Sequence, residues 1–151
     1  MIDFRLVLTA VALIGLGVPA IASPRHPAAK AADAKPTTPE KAFPLGNTWI
    51  LQSINGKVPV GEAPSFALDT TMRATGFSGC NTFSMALYPV KDQKLAAGAI
   101  ALTRKTCDKA TMLAERDFLV GLHSLPTWQA SDNGDLTIKG RTGVMQFRRG
   151  I

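Results

Sequence analysis

Cysteine, histidine and tyrosine are all scarce in this chain, and those shortages exclude much chemistry. Its 151 residues include two cysteines, two histidines and one tyrosine. His26 and His123 lie far apart and form no spaced ligand set, so a zinc-type centre has no basis in the sequence. No Cys-x-x-Cys pair and no glycine-rich phosphate loop is present, which removes thioredoxin-like redox chemistry and nucleotide chemistry of the P-loop kind. Long apolar runs are missing too. The longest, from Leu6 to Val18, is about 13 residues, whereas a membrane-spanning helix needs roughly 20. Seventeen Lys and Arg against eleven Asp and Glu give a net charge of +6. Apart from Arg104-Lys105 and Arg148-Arg149 the basic residues are scattered, unlike the clustered stripe of a nucleic-acid surface.

What is present begins with an export pattern. Arg5, the apolar run and the small residues of Pro19-Ala20-Ile21-Ala22 form a signal peptide over residues 1–22, with cleavage expected after Ala22. The expected destination is the periplasm or the medium, with no stable membrane span after cleavage. Residues 23–44 are rich in Pro, Ala, Lys and Thr and hold five of the ten prolines, a composition that predicts a disordered linker. Residues 45–151 have the size of one domain with its own core.

Within that domain the hydrophobic period is mostly two. Strands are predicted at Thr48–Ile54 (ending at the Asn55-Gly56 turn), Pro64–Leu68, Met72–Phe77, Ser84–Val90 and Leu95–Leu102. Between Asp108 and Ser124 the period changes to that of an amphipathic helix. Ala114, Phe118, Leu119, Leu122 and Leu125 make its apolar stripe, with Glu115, Arg116 and Asp117 mostly outside it and Asp108 as N-cap. Strands at Thr127–Ala130, Leu136–Lys139 and Val144–Arg148 follow, joined by turn-forming residues at 132–135 and 140–143. The expected class is α+β: a curved or barrel-like, mainly antiparallel sheet of about 7–8 short strands, with one late helix over one end. The expected core is Trp49, Phe66, Phe83, Leu87, Phe118, Leu122, Trp128, Leu136 and Phe147.

In an exported chain, two cysteines predict a Cys80–Cys107 disulfide; the competing reading is a reactive thiol, for which no activating neighbour is evident. Gly76-Phe77-Ser78-Gly79-Cys80 comes within one residue of a Gly-x-Ser-x-Gly nucleophile elbow. Cys80 stands where the last glycine belongs, no helix follows, and Ser78 has no base assigned to it. Its glycines are read as positive-φ positions of a tight bend. Asp132-Asn133-Gly134-Asp135 resembles a calcium loop but lacks the ligand series and the distal glutamate, so it is read as a hairpin turn.

Several phrases together resemble the META domain family of HslJ-like bacterial envelope proteins. They are Trp49-Ile50-Leu51, Pro64 to Leu68, Gly76 to Phe83, Thr103 to Cys107, Glu115 with Phe118-Leu119, and the two closing strands. Tyr88-Pro89 departs from the pattern, because such domains often continue there through a glycine-containing strand. The resemblance implies a compact α+β domain of the envelope linked to heat shock and antibiotic tolerance, with Gly79, Cys80, Asn81 and Cys107 as its signature and no catalytic residues to carry over. Asn81 is expected to pin a neighbouring loop through its amide, with partner binding as the alternative. The resulting expectation is a non-enzymatic exported domain without cofactor or metal that binds an envelope protein or a small apolar ligand. Alternatives are an inhibitor or assembly factor acting through a strand edge, and a thiol or serine hydrolase centred on Ser78 and Cys80.

Overall fold

The computed structural model describes residues 39–151; the signal peptide expected at 1–22 and most of the expected linker lie outside the described residues. Nine strands and one helix follow in order: β1 (Thr48–Ile54), β2 (Ser65–Leu68), β3 (Arg73–Phe77), β4 (Thr82–Val90), β5 (Lys94–Ala97), β6 (Ala101–Leu102), α1 (Lys109–His123), β7 (Thr127–Ala130), β8 (Asp135–Gly140) and β9 (Gly143–Arg149). All pairings are antiparallel. Because β3 pairs with both β2 and β4, and β1 with both β2 and β9, eight strands close into a barrel, with β6 added beside β4.

Closure follows from alternation. Trp49 and Leu51 on β1, Phe66 and Leu68 on β2, Met85 and Leu87 on β4, and Met145 and Phe147 on β9 all point inward and are buried. All nine residues of the expected core are among those buried. The tight turn at Asn55-Gly56 has both residues at positive φ, 52° and 77°, as the hairpin geometry requires. The wall is thinnest between β5 and β7, where only Lys94 pairs with Thr127. Two further bonds hold that seam, from Leu95 N–H to the Pro126 carbonyl (2.9 Å) and from Trp128 N–H to the Gln93 carbonyl (2.7 Å).

The helix covers the end of the barrel that carries the β3–β4 and β8–β9 turns. Asp108 caps it, accepting from the N–H groups of Ala110 and Thr111 at 3.0 Å each. Its buried face is Glu115, Phe118, Leu119, Gly121 and Leu122. The stripe is therefore rotated from the expected one: Ala114 and Leu125 are exposed, and Glu115 lies inside. Gly121 sits where the helix touches the sheet, since a Cβ there would lie 2.7 Å from Met145 Cε.

Two other expectations are corrected. The strand expected over Leu95–Leu102 breaks at Gly98–Ile100, where Gly98 N–H turns back to the Ala86 carbonyl (2.9 Å), leaving β5 and β6 separate. The expected linker does not run to residue 44 as a disordered segment. Phe43 is buried at 6% exposure, and residues 39–46 form a strap over the barrel end opposite the helix. Lys41 N–H donates to Gln93 Oε1 (2.6 Å), Asp92 N–H to Glu40 Oε1 (2.5 Å) and Gly46 N–H to the Leu68 carbonyl (2.8 Å). The strand expected over Ser84–Val90 does run through Pro89 to Val90, despite the departure at Tyr88-Pro89, and starts two residues earlier at Thr82. Leu87 N–H reaches back to Met72 on the β3 side (2.9 Å), so the nitrogen of Pro89, two residues on, faces a flank where β3 has ended and no donor is needed.

Candidate functional site

The family-signature residues meet at the helix-covered end, on the turn between β3 and β4. Gly79 adopts φ +109°, which allows the chain to reverse there. Gly76 has a different role from the positive φ expected of it. It lies in regular β3, and a Cβ would fall 2.0 Å from the Ser65 carbonyl oxygen, so its lack of a side chain is what lets β2 approach.

Cys80 and Cys107 are joined in a disulfide with a Cα–Cα distance of 6.0 Å. It ties the start of β4 to the residue before the helix cap. Next to it, Asn81 uses all its amide capacity. Its Oδ1 accepts from Thr103 Oγ1 (2.8 Å) and Lys105 N–H (2.7 Å), while Nδ2 donates to Glu115 Oε1 (3.0 Å) and the Lys105 carbonyl (3.3 Å). Asn81 thus stitches the 103–105 segment and the helix to one turn.

The central group is one that the sequence reading placed on the wrong face. Glu115 is 5% exposed, and no basic side chain is paired with it among the described residues. Its carboxylate accepts from Ser78 Oγ (2.5 Å), Asn81 N–H (2.8 Å) and Asn81 Nδ2. Burial works against its ionisation, but these hydrogen bonds outweigh burial and hold the carboxyl below the usual glutamate range. Ser78, to which the sequence assigned no base, has a carboxylate beside it, because the helix carries Glu115 against it from 37 positions away in the chain.

Ser78 itself is fully enclosed. Its single hydroxyl proton goes to the carboxylate, while the nearby Asn81 carbonyl (2.7 Å from Oγ) is served by Ser78 N–H at 2.8 Å. Serine, carboxylate and amide are thus engaged with one another rather than with a cleft. Among the described residues no group of three or more His, Cys, Asp or Glu side chains is placed to hold a metal ion. The signal for Glu115 was available in the sequence: residues 115, 118, 119 and 122 have the i, i+3, i+4, i+7 spacing of one helix face, and only the charge of the first obscured it.

Two solved structures share this fold. One, an NMR structure, is 22% identical, has a TM-score of 0.57 and matches 68% of this chain and 87% of its own. Another, an NMR structure of a protein from Burkholderia xenovorans, is also 22% identical, with a TM-score of 0.56 and coverage of 81% and 98%. No curated protein matches the chain. The model of the META domain matches residues 42–150, a span that takes in Phe43, the whole barrel and the Ser78–Glu115 cluster, and the chain belongs to the META domain family.

Proposed function

We propose that this META domain is exported to the bacterial envelope and acts there without catalysis, as a binding module in tolerance of heat or antibiotic stress. One observation carries the non-catalytic part: the side chains suited to chemistry are saturated by one another. A nucleophile must reach a substrate with a base in hydrogen-bond range. Ser78 has the neighbour but not the access, and Cys80 is bound to Cys107. The disulfide and the leader-like first 22 residues support export.

A second reading, recognition of a partner through strand addition, draws on β6. Its two residues are exposed, and it ends the sheet order, pairing only with β4. Both readings are tested by complementation. Cells lacking the protein are given the native chain, Ser78→Ala, or a chain with Leu102→Pro on the β6 edge, and survival is scored after heat and antibiotic challenge. Full rescue by Ser78→Ala is expected. A folded Ser78→Ala protein that does not rescue would revive the hydrolase. Failure of Leu102→Pro alone would favour the edge.

A further inference from the structure

The strap end of the barrel carries two buried donors with nothing to donate to. Trp49 and Trp128 are each 2% exposed, and neither indole Nε1–H has an acceptor among the described residues. A buried polar group left unpaired is costly, and native proteins keep few of them. Both side chains line the strap end of the barrel. Trp49 lines a cavity of about 280 Å³ on one side of the strap, and Trp128 lines one of about 290 Å³ on the other. Lys41 and Ala42 line both cavities and form the partition between them.

The partition is lightly held. Residues 39–42 are exposed, and so are the bonds that hold them, from Lys41 N–H to the Gln93 side chain and from Asp92 N–H to the Glu40 carboxylate. The Lys41–Asp132 pair, at 3.7 Å between fully or largely exposed groups, adds little. Phe43 is the buried anchor, meeting Trp128 edge-on with ring centroids 4.9 Å apart.

We propose that this mouth is a binding site for a small aromatic acid, whose ring takes the place of Phe43 against Trp128 and whose carboxylate accepts from the indole N–H groups. The proposal rests on the binding-module reading above and names the ligand class and its place. The ring preference comes from what already occupies the site, an aromatic side chain of this chain. The preference for an acid comes from the two unpaired donors; the rim charges, Lys41 and Arg149 with Asp132 at the Trp49 cavity and Glu40 with Lys41 at the Trp128 cavity, balance one another. Phe43 acts as a resident competitor, so apparent affinity is reduced by the fraction of molecules in which the strap is seated.

The chain has only two tryptophans, and both are here, so two indole N–H resonances report the site directly in a nitrogen-correlated NMR spectrum. The probe is 3-phenylpropanoate, with 3-phenylpropylammonium as a control that keeps the ring and removes the acceptor. Both indole resonances should move saturably with the acid and little with the amine. Trp128→Phe should delete one resonance and weaken binding, and Phe43→Ala should tighten it roughly tenfold by removing the competitor. If Phe43→Ala loses its dispersed spectrum, Phe43→Leu takes its place. Indole resonances that stay fixed in a folded strap variant, or that respond equally to acid and amine, would overturn the site. The stress assay separates this from the parent reading: rescue by the native chain without any indole shift overturns the site alone, and a confirmed shift with full rescue by Trp128→Phe leaves the site standing and removes its part in stress tolerance.

Discussion

Glu115 shows how one residue sets the behaviour of the cluster around it. Its carboxyl titrates below its ordinary value of about 4.3 because burial is outweighed by donors from Ser78 and Asn81. The unfolded chain therefore binds a proton at this group more readily than the folded one. The stability it contributes is complete above the unfolded value and is lost as pH falls through the lower folded value. Asp69 and Asp108 are also lowered, chiefly by hydrogen bonds from Thr71 and Thr111, and act in the same direction. Urea midpoints should be flat near neutrality and fall below about pH 4, with a shallower fall in Glu115→Gln. That variant should also cost about 1–3 kcal/mol at pH 7, because the new NH₂ must face a donor of Asn81 at either position. Ser78→Ala removes one donor to a buried carboxylate and should cost about 1.5–3 kcal/mol. The sequence revealed the Asn81 stitching through residue type alone, since a short amide at a bend invites backbone bonds. It concealed Glu115, because a charge inside an apolar stripe reads as solvent-facing until its donors, 34 and 37 positions away, are brought to it.

Elements in this barrel are spaced by glycines as much as by side-chain packing. Gly76→Ala would place a methyl 2.0 Å from the Ser65 carbonyl and force β2 from β3, an overpacking cost of about 1–3 kcal/mol. Gly98→Ala meets only Ala86, its Cβ at 3.4 Å and its carbonyl oxygen at 3.7 Å, and should be nearly neutral, so the pair of variants compared by chemical denaturation separates close approach from a generic glycine effect. The link between β4 and the helix depends on the disulfide, which spans 27 positions. Its reduction should lower stability by about 3–4 kcal/mol, read as a downshift in Tm with dithiothreitol and absent from a chain already lacking both cysteines. Strand existence was legible because period-two alternation and the turns at Asn55-Gly56 and 140–143 agree. The break at Gly98 was not, because the same apolar run fits one strand or two until β4 offers it partners on one flank only.

At the scale of the whole molecule, the barrel has a stopper at each end, and only one was visible beforehand. The helix announced itself by its period. The strap did not, because Phe43 is a single aromatic in a tract of Pro, Ala, Lys and Thr, and one apolar residue gives no periodicity to read. A chain beginning at Leu45 should therefore fold but lose about 1.5–3 kcal/mol relative to one beginning at Pro39, the worth of burying one such ring. Its tryptophan emission should shift to the red as Trp128 meets water, and an unchanged spectrum would place Phe43 outside the core.

β1 lies between β2 and β9, so the earliest strand completes its pairing only with the latest. On a ribosome making about 5–20 residues per second, the interval between Ile54 and Gly143 lasts on the order of 5–20 seconds. Through that time Trp49 and Leu51 have no β9 to meet, and the barrel has no way to shut. A nascent chain with this strand order remains threadable until its final hairpin is made, and the timing is written into the connectivity rather than into any leader.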